Sequence, residues 1–315
     1  MNKDLRLSRV LVIVILAIIV ILVSLNISEL SLFLTLIPMP FALIGTLSNL
    51  RNNIISLIIS ILALVCFANL TDALDIFINS IIPGMIIGIL IKNVLRDKDS
   101  NKYGPIFTGS IIFIAAIILH YLLSKYLFKV DLLEGFIGIF NQSLESQKDL
   151  LQSTGSDTLN LNNITNILRN IIPSILFYRG IILALIIYFV EIAILKRMKY
   201  VDLSEMKFIN FYLPGNAVTI SFLLYIFVII LSYMKTPLYT DSIFLNLQMV
   251  FNFMFMIQGV AVSSYFIKKW IQEGINNKIF IGVICLGIFG ISSISLIGMI
   301  DSVLDFRHVR VLRYR

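Results

Sequence analysis

Long apolar segments joined by short polar connections dominate the sequence. A helix that crosses the hydrocarbon core of a bilayer, about 30 Å thick, needs roughly 20 mostly apolar residues. Lipid-exposed backbone groups must be paired within such a segment, so each is predicted to be a helix. The sequence has nine candidate spans, at residues 10–25, 29–49, 53–70, 74–95, 105–128, 171–195, 215–233, 242–267 and 279–300. We therefore expect an all-α, polytopic transmembrane helix bundle of about nine spans, with the lipid bilayer as its surroundings.

The charge content excludes a water-soluble protein of this length. Hydrophobic residues make up 58% of the chain and charged residues 14%, whereas soluble domains carry about 25% charged residues. The net charge of +7 is interpreted as basic loops held on the cytoplasmic side rather than as a nucleic-acid surface.

The first span resembles a signal peptide, because Lys3, Arg6 and Arg9 precede its apolar run. No small-residue cleavage site follows the run, so we expect an uncleaved first membrane helix. For the chain before the tail, placing the N-terminus in the cytoplasm puts fifteen basic residues on the cytoplasmic side and five outside, as the positive-inside rule requires. The loop at 196–212 is then cytoplasmic. With nine spans the basic tail after residue 300, which includes Arg307, falls outside, against the rule.

A polar connection at 129–170 divides the chain into three predicted parts. These are an N-terminal five-span bundle at 1–128, an extracytoplasmic loop at 129–170, and a four-span part with the tail at 171–315. Within the loop, apolar residues recur at helical spacing, which predicts an amphipathic helix on the outer surface. Its apolar positions are Leu133, Phe136, Ile137, Phe140, Leu144 and Leu151.

Ionisable and amide side chains inside the spans are the best candidates for function, because burying them in lipid is costly. Arg179 lies about 12 Å deep at 1.5 Å per residue and is predicted to face the bundle interior. There it would bind an anion or carboxylate, or pair with a neighbouring helix as a structural residue. Asn79, Asn252 and Gln258 are candidates either for substrate contacts or for hydrogen bonds between helices. Glu191 is interpreted as one partner of a salt bridge with Lys196 or Arg197, and His120 as a hydrogen-bonded packing residue.

Two prolines, Pro38 and Pro40, lie near the middle of the second span. Proline removes a backbone donor and clashes with the preceding helical turn. We therefore predict a broken helix, or two half-helices around an extended piece, which lines a buried cavity. In the fourth span Gly84 and Gly88 form a GxxxG pattern, which predicts a close approach of two helices.

Motifs of catalysis are missing from the sequence. It contains no P-loop, no GxSxG and no HExxH, and its two cysteines and two histidines fall in no metal-binding spacing. We therefore expect neither an enzyme nor a cofactor or metal site.

Five stretches, taken in their order along the chain, resemble the YybS-like family of bacterial multi-pass membrane proteins. They are 36–45 (LIPMPFALIG), 82–88 (IPGMIIG), 172–214 from Ile172-Pro173 to Leu213-Pro214, 252–262 with Asn252 and QGVAV, and 298–307 (GMIDSVLDFR). The resemblance implies a multi-pass protein of the bacterial cell membrane and implies no activity.

The N-terminal part is also similar to the substrate-binding component of energy-coupling-factor vitamin transporters. The similarity lies in its proline-rich second span and the Pro-Gly-x-x-x-Gly of its fourth span. It implies a helix bundle that binds a vitamin near the outer face and docks on a membrane partner subunit and on ATPases. Those components carry Ala-x-x-x-Ala in the first helix, whereas here Ile21 follows Ala17.

Two functions fit these features. The first is a membrane protein that binds or transports a small molecule without its own ATPase, with Arg179, Asn79, Asn252 and Gln258 as ligands and Pro38–Pro40 at the cavity. The second is a non-transporting scaffold or regulator. A cavity on which intramembrane polar residues converge would favour the first, and polar residues paired from helix to helix would favour the second.

Overall fold

The computed structural model describes residues 5–97, 101–146, 161–200, 206–213, 216–234, 240–274, 290 and 293–309. Over these residues the chain is helical and contains no strand, so the predicted all-α class is confirmed. The α-helices are α1 Leu7–Asn26, α2 Pro38–Leu47, α3 Leu50–Phe67, α4 Leu70–Ile76, α5 Ile82–Arg96, α6 Gly104–Tyr126, α7 Leu132–Ser146, α8 Leu161–Arg197, α9 Ala217–Tyr233, α10 Thr240–Gln272 and α11 Ser293–Leu304.

Seven helical stretches within the described residues are long and apolar enough to cross a membrane. The helices α9 and α11 are apolar but shorter. Each of the first eight predicted spans coincides with a helix, which confirms the polytopic bundle. Most of the ninth, at 279–289 and 291–292, lies outside the described residues, as do the loop at 147–160 and the tail at 310–315. The number nine therefore stays a prediction.

The helices pack into two compact units. Unit 1 comprises Met1–Arg169 and Arg179–Leu203, and unit 2 comprises Asn170–Tyr178 and Ser204–Arg315. The packing thus groups the second half of α8 with the N-terminal helices. The boundaries predicted at 1–128, 129–170 and 171–315 rest on the polar loop and stay a prediction.

The two prolines of the second span begin a helix instead of breaking one. The backbone passes from a 3-10 helix at Ser28–Leu36 directly into α2, whose first residue is Pro38. Ile37 between them has helical dihedral angles, so the predicted non-helical backbone is wrong. The physical reason is that proline fits the first turn of a helix, where its fixed φ is suitable and no N–H is needed. Pro38 is buried, as expected.

The closest packing in unit 1 joins α2 to α5 through glycines. A Cβ atom on Gly84 would collide with the backbone of Pro38, and one on Gly88 with the carbonyl group of Ala42. On the opposite helix, Gly45 faces the carbonyl oxygen of Met85 in the same way. The close approach predicted from the GxxxG pattern is therefore present, since only glycine leaves room for the facing backbone.

The helix predicted in the central loop is present as α7. Its N-terminus is capped by Asp131, whose Oδ1 accepts hydrogen bonds from the backbone N–H groups of Leu133 at 3.1 Å and Glu134 at 3.3 Å. Lys125 forms an ion pair with the same carboxylate, at 3.0 Å, which holds the pKa of Asp131 below its ordinary value. The position of α7 on the outer membrane surface stays a prediction.

The helix α8 begins at Leu161, ten residues before the predicted span, and contains Pro173. The side chain of Asn246 from α10 bridges the helical ladder beside this proline. Its Oδ1 accepts from the backbone N–H of Ser174 at 2.9 Å, and its Nδ2 donates to the carbonyl oxygen of Asn170 at 2.6 Å. An amide side chain thereby supplies both partners at an interrupted position of the helix.

Candidate functional site

Unit 2 contains a groove of about 310 Å³ between α9, α10 and α11. Each helix contributes residues three or four apart, which is the spacing of one helical face. The antiparallel pair α9 and α10 is held by Tyr225, whose ring centroid lies 5.5 Å from that of Phe244 and 5.8 Å from that of Phe251. The lining residues are Val218, Ser221, Phe222, Tyr225, Gln248, Phe251, Asn252, Phe255, Ser295, Leu296 and Met299.

The polar groups of this groove fall into two sets. The hydroxyls of Ser221 and Ser295 are satisfied by carbonyl oxygens, of Val218 at 2.8 Å and of Asn252 at 3.1 Å. The side-chain amides of Gln248 and Asn252 are exposed, and within the described part of the chain neither makes a hydrogen bond. These two residues are one helical turn apart on α10, so both amides are directed to the same side of the helix.

Two unpaired amides are costly on a helix that crosses a membrane. An amide group in an apolar medium without a hydrogen bond costs several kcal/mol, because no water is present to replace the missing partner. A lipid acyl chain in the groove would leave both amides unpaired. An occupant that offers hydrogen-bonding groups would pair them, and this makes the groove the candidate binding site.

A larger cavity, of about 440 Å³, lies at the end of the α9–α10 pair near Tyr233 and Asp241. Its lining includes Tyr233 and Thr240, and the residues between Met234 and Thr240 lie outside the described part of the chain. The groove is the better defined of the two, because all three helices that form its walls are described where they line it.

Gln258, a predicted ligand, is fully buried in a polar cluster of unit 2. Its Oε1 accepts from the backbone N–H of Leu213 at 2.9 Å, and its Nε2 donates to Asp301 Oδ2 at 2.8 Å. The same oxygen pairs with Arg307 at 2.9 Å in an ion pair that is almost completely buried. Because its donor and acceptor groups are both satisfied by the protein, Gln258 holds helices together and is not free to bind a ligand in this arrangement.

Arg307 also fixes the position of the C-terminal segment. Its guanidinium donates to the carbonyl oxygens of Ile209, at 2.6 Å, and Phe211, at 2.8 Å. Residues 206–213 precede α9 and belong to the connection predicted to be cytoplasmic. Arg307 is thus held beside the segment that precedes α9. If that segment is cytoplasmic, as predicted, Arg307 accords with the positive-inside rule, and the side of the membrane stays a prediction.

We expect cysteines introduced at Lys207 and His308 to be labelled from the same side of the membrane, because Arg307 holds their segments together. Both residues are exposed. The measurement is reaction with a membrane-impermeant maleimide in spheroplasts and in inverted vesicles, with Cys66 and Cys285 replaced by serine. A cysteine at Asp241, at the far end of α10, serves as the opposite-side reference. Labelling of Lys207→Cys and His308→Cys from opposite sides would contradict this placement.

Asn79, another predicted ligand, lies in unit 1 within a π-helical turn at Phe77–Ile81. The turn precedes Pro83, which has no N–H, and the wider turn is closed by the N–H of Ile82 donating to the carbonyl of Phe77. Asn79 Nδ2 lies 2.5 Å from Asp75 Oδ1 and 3.0 Å from His120 Nδ1. Its Oδ1 is buried without a hydrogen bond to a described residue. His120 is therefore hydrogen-bonded between helices.

The remaining predicted residues of unit 1 do not form a site with Asn79. Arg179 is exposed, so its predicted interior position is wrong. Pro38 belongs to the α2–α5 contact, and Pro40 lies two residues further along α2, half-buried. Glu191 is buried and bonds to the hydroxyl of Thr46, so the predicted salt bridge is wrong, and it makes no ion pair within the described residues.

Sequence reasoning identified Asn252 but missed Gln248, Tyr225 and the two serines of the groove. Gln248 and Asn252 are four residues apart on an apolar helix, and this spacing was a signal that two amides share one face. The partners of Gln258 could not be predicted from spacing, because Asp301 and Leu213 are more than forty residues away from it along the chain.

The fold defines a polytopic, all-α integral membrane protein. The family model described as predicted membrane protein DUF2232 matches residues 14–302, and the chain belongs to this family. Neither a curated protein nor a solved structure matches the chain.

Proposed function

We propose that the protein binds a small molecule in the groove of unit 2 and functions in its uptake or transport across the membrane. The observation that carries this proposal is the pair of amides of Gln248 and Asn252, which make no hydrogen bond to a described residue and lie on a face of α10 that lines a concavity. Membrane transporters bind their substrates at polar positions within the bilayer. The groove is one of the arrangements by which a helix bundle forms such a site.

The depth of the groove supports a transport function over surface recognition. Asn252 lies twelve residues from Thr240 and six before Gln258 along α10. At about 1.5 Å per residue it is therefore ~18 Å from the Thr240 end of α10 and ~9 Å from the polar cluster at Gln258. A bound molecule would be held within the membrane-crossing part of unit 2.

A partner ATPase is part of this proposal, because the chain has no P-loop. The similarity to the substrate-binding component of energy-coupling-factor transporters implies a membrane partner subunit and ATPases. Docking on the first helix at Ala17 and Ile21 is not available in unit 1, since these side chains are 5% and 0% exposed. A partner would have to bind another surface.

A scaffold or regulatory role is the second candidate, and the polar contacts of unit 1 favour it. Thr46 donates to the carbonyl oxygen of Gly88 at 2.9 Å, and Asn79 bonds to His120. These contacts join helices to one another. The two functions differ in the groove, because a scaffold does not need an occupant there.

We expect small molecules from the producing cell to bind the protein through Asn252 and Gln248. The purified protein in lipid nanodiscs is incubated with the sub-kilodalton extract of those cells, and native mass spectrometry measures the bound mass. The wild type should carry a small-molecule adduct. Asn252→Leu should lower its occupancy about tenfold, since one hydrogen bond contributes about 1 kcal/mol or slightly more.

The control is Gln272→Leu, which makes the same kind of change at an exposed position at the end of α10. It should leave the adduct unchanged. A wild-type protein without an adduct, or an adduct that survives replacement of both groove amides by leucine, would refute the binding function and favour the scaffold.

A further inference from the structure

The lining of the groove also constrains the charge of its occupant. Among the described residues that line it, four are aromatic, four others carry an uncharged hydroxyl or amide group, and three are aliphatic or methionine. None of them is ionised at neutral pH. An ion placed there would lose its hydration and meet no opposite charge, which is strongly unfavourable in a membrane interior. We infer that the groove binds an uncharged, planar molecule that carries an amide-like edge.

The amide-like edge follows from the chemistry of Gln248 and Asn252. Each primary amide has two donor hydrogens and one acceptor oxygen. Two such groups on one helical face are complementary to a molecule that offers both a carbonyl oxygen and an N–H at adjacent positions. A hydrocarbon chain offers neither, and a hydroxyl alone cannot satisfy both amides.

Planarity follows from the aromatic walls. Phe222 and Tyr225 from α9 and Phe251 and Phe255 from α10 line the groove, and aromatic rings pair favourably with a further ring in offset-stacked or edge-to-face geometry. The volume of about 310 Å³ lies at the lower limit for small-molecule pockets, about 300–1,000 Å³. It therefore suits a molecule of one or two rings. This inference rests on the binding function proposed for the groove.

Three fluorinated probes of nearly equal size and shape test the charge of the occupant. They are 4-fluorobenzamide, which is neutral, 4-fluorobenzoate, which is an anion, and 4-fluorobenzylamine, which is a cation at neutral pH. Binding to the protein in nanodiscs is measured by fluorine NMR line broadening. Empty nanodiscs correct for partition into lipid.

We expect the Kd of 4-fluorobenzamide to be at least tenfold lower than that of either ion. Replacing Gln248 and Asn252 together by leucine should weaken its binding at least tenfold, whereas Gln272→Leu should leave it unchanged. The double replacement exchanges exposed polar side chains for apolar ones on a membrane helix, so a wild-type melting temperature is expected to accompany the loss of binding.

The results separate this inference from the proposed function. If an ion binds as tightly as the amide and is lost in the double variant, the inference is wrong while the binding function stands. The same holds if the amide does not bind although the cell extract gives an adduct that depends on Asn252. If neither the extract nor any probe binds, both fail together.

Discussion

Gly88→Ala is expected to lower the stability of the protein by about 3 kcal/mol, the upper end of the usual range for an overpacked core. The added Cβ would meet the carbonyl group and Cα of Ala42, which are backbone atoms and cannot turn away as a flexible side chain would. The two helices must then separate, and the hydrogen bond from Thr46 Oγ1 to the carbonyl of Gly88 would lengthen beyond its 2.9 Å. The measurement is the midpoint of thermal denaturation in a single detergent.

The matched control is Gly138→Ala in α7, where a new Cβ would have no atom within 4 Å. This change should leave the midpoint unchanged or raise it, because alanine is favoured over glycine in helices by about 1 kcal/mol. Equal midpoints for the two alanine variants would show that the α2–α5 contact does not limit stability. The distinction matters because helices in lipid associate through packing and hydrogen bonds, with no hydrophobic driving force between them.

The helical spans were predictable because one external length, the thickness of the hydrocarbon core, sets them. The start of α8 at Leu161 was not predictable in this way, since residues 161–170 are too polar to be recognised as part of a membrane span. Pro38 was misread for a different reason. The effect of a proline depends on whether an α-helical turn precedes it, and the sequence does not show that a 3-10 helix ends and α2 begins there.

The orientation of Arg179 shows how a sound local argument gives a wrong result. The next residue, Gly180, faces α6, because an added Cβ would meet Ile114 and the carbonyl oxygen of Ser110. Successive residues of an α-helix are rotated by about 100°. The contact at Gly180 therefore turns Arg179 away from that neighbour and leaves it exposed.

The candidate site was predictable only in part. Asn252 was identified as a polar residue inside a span, and the groove does contain it. The walls contributed by α9 and α11 come from segments about 30 and 40 residues away along the chain, and their register on α10 depends on tertiary packing. Gly259 and Gly298 set that register for α11, since a Cβ on either would collide with the facing backbone.

Arg307→Met is expected to destabilise the protein by about 3–5 kcal/mol, because it leaves a buried carboxylate without its counter-ion. The side chains of Arg307 and Asp301 are 0% and 1% exposed. The carbonyl oxygens of Ile209 and Phe211 would lose their guanidinium donors in the same step. The measurements are the denaturation midpoint and the rate of tryptic cleavage at Lys207, which should rise as residues 206–213 are released.

The double variant Asp301→Leu/Arg307→Met distinguishes a buried charge from simple loss of packing. Removing both charges should restore part of the lost stability, since an apolar pair avoids the unpaired carboxylate. Recovery should be incomplete, because Gln258 Nε2 would lose its acceptor at 2.8 Å. Glu273→Gln, in the exposed pair with Lys269, should change stability by no more than about 0.5 kcal/mol. If Arg307→Met had the same denaturation midpoint as Glu273→Gln, the buried pair would not hold the C-terminal segment against residues 206–213.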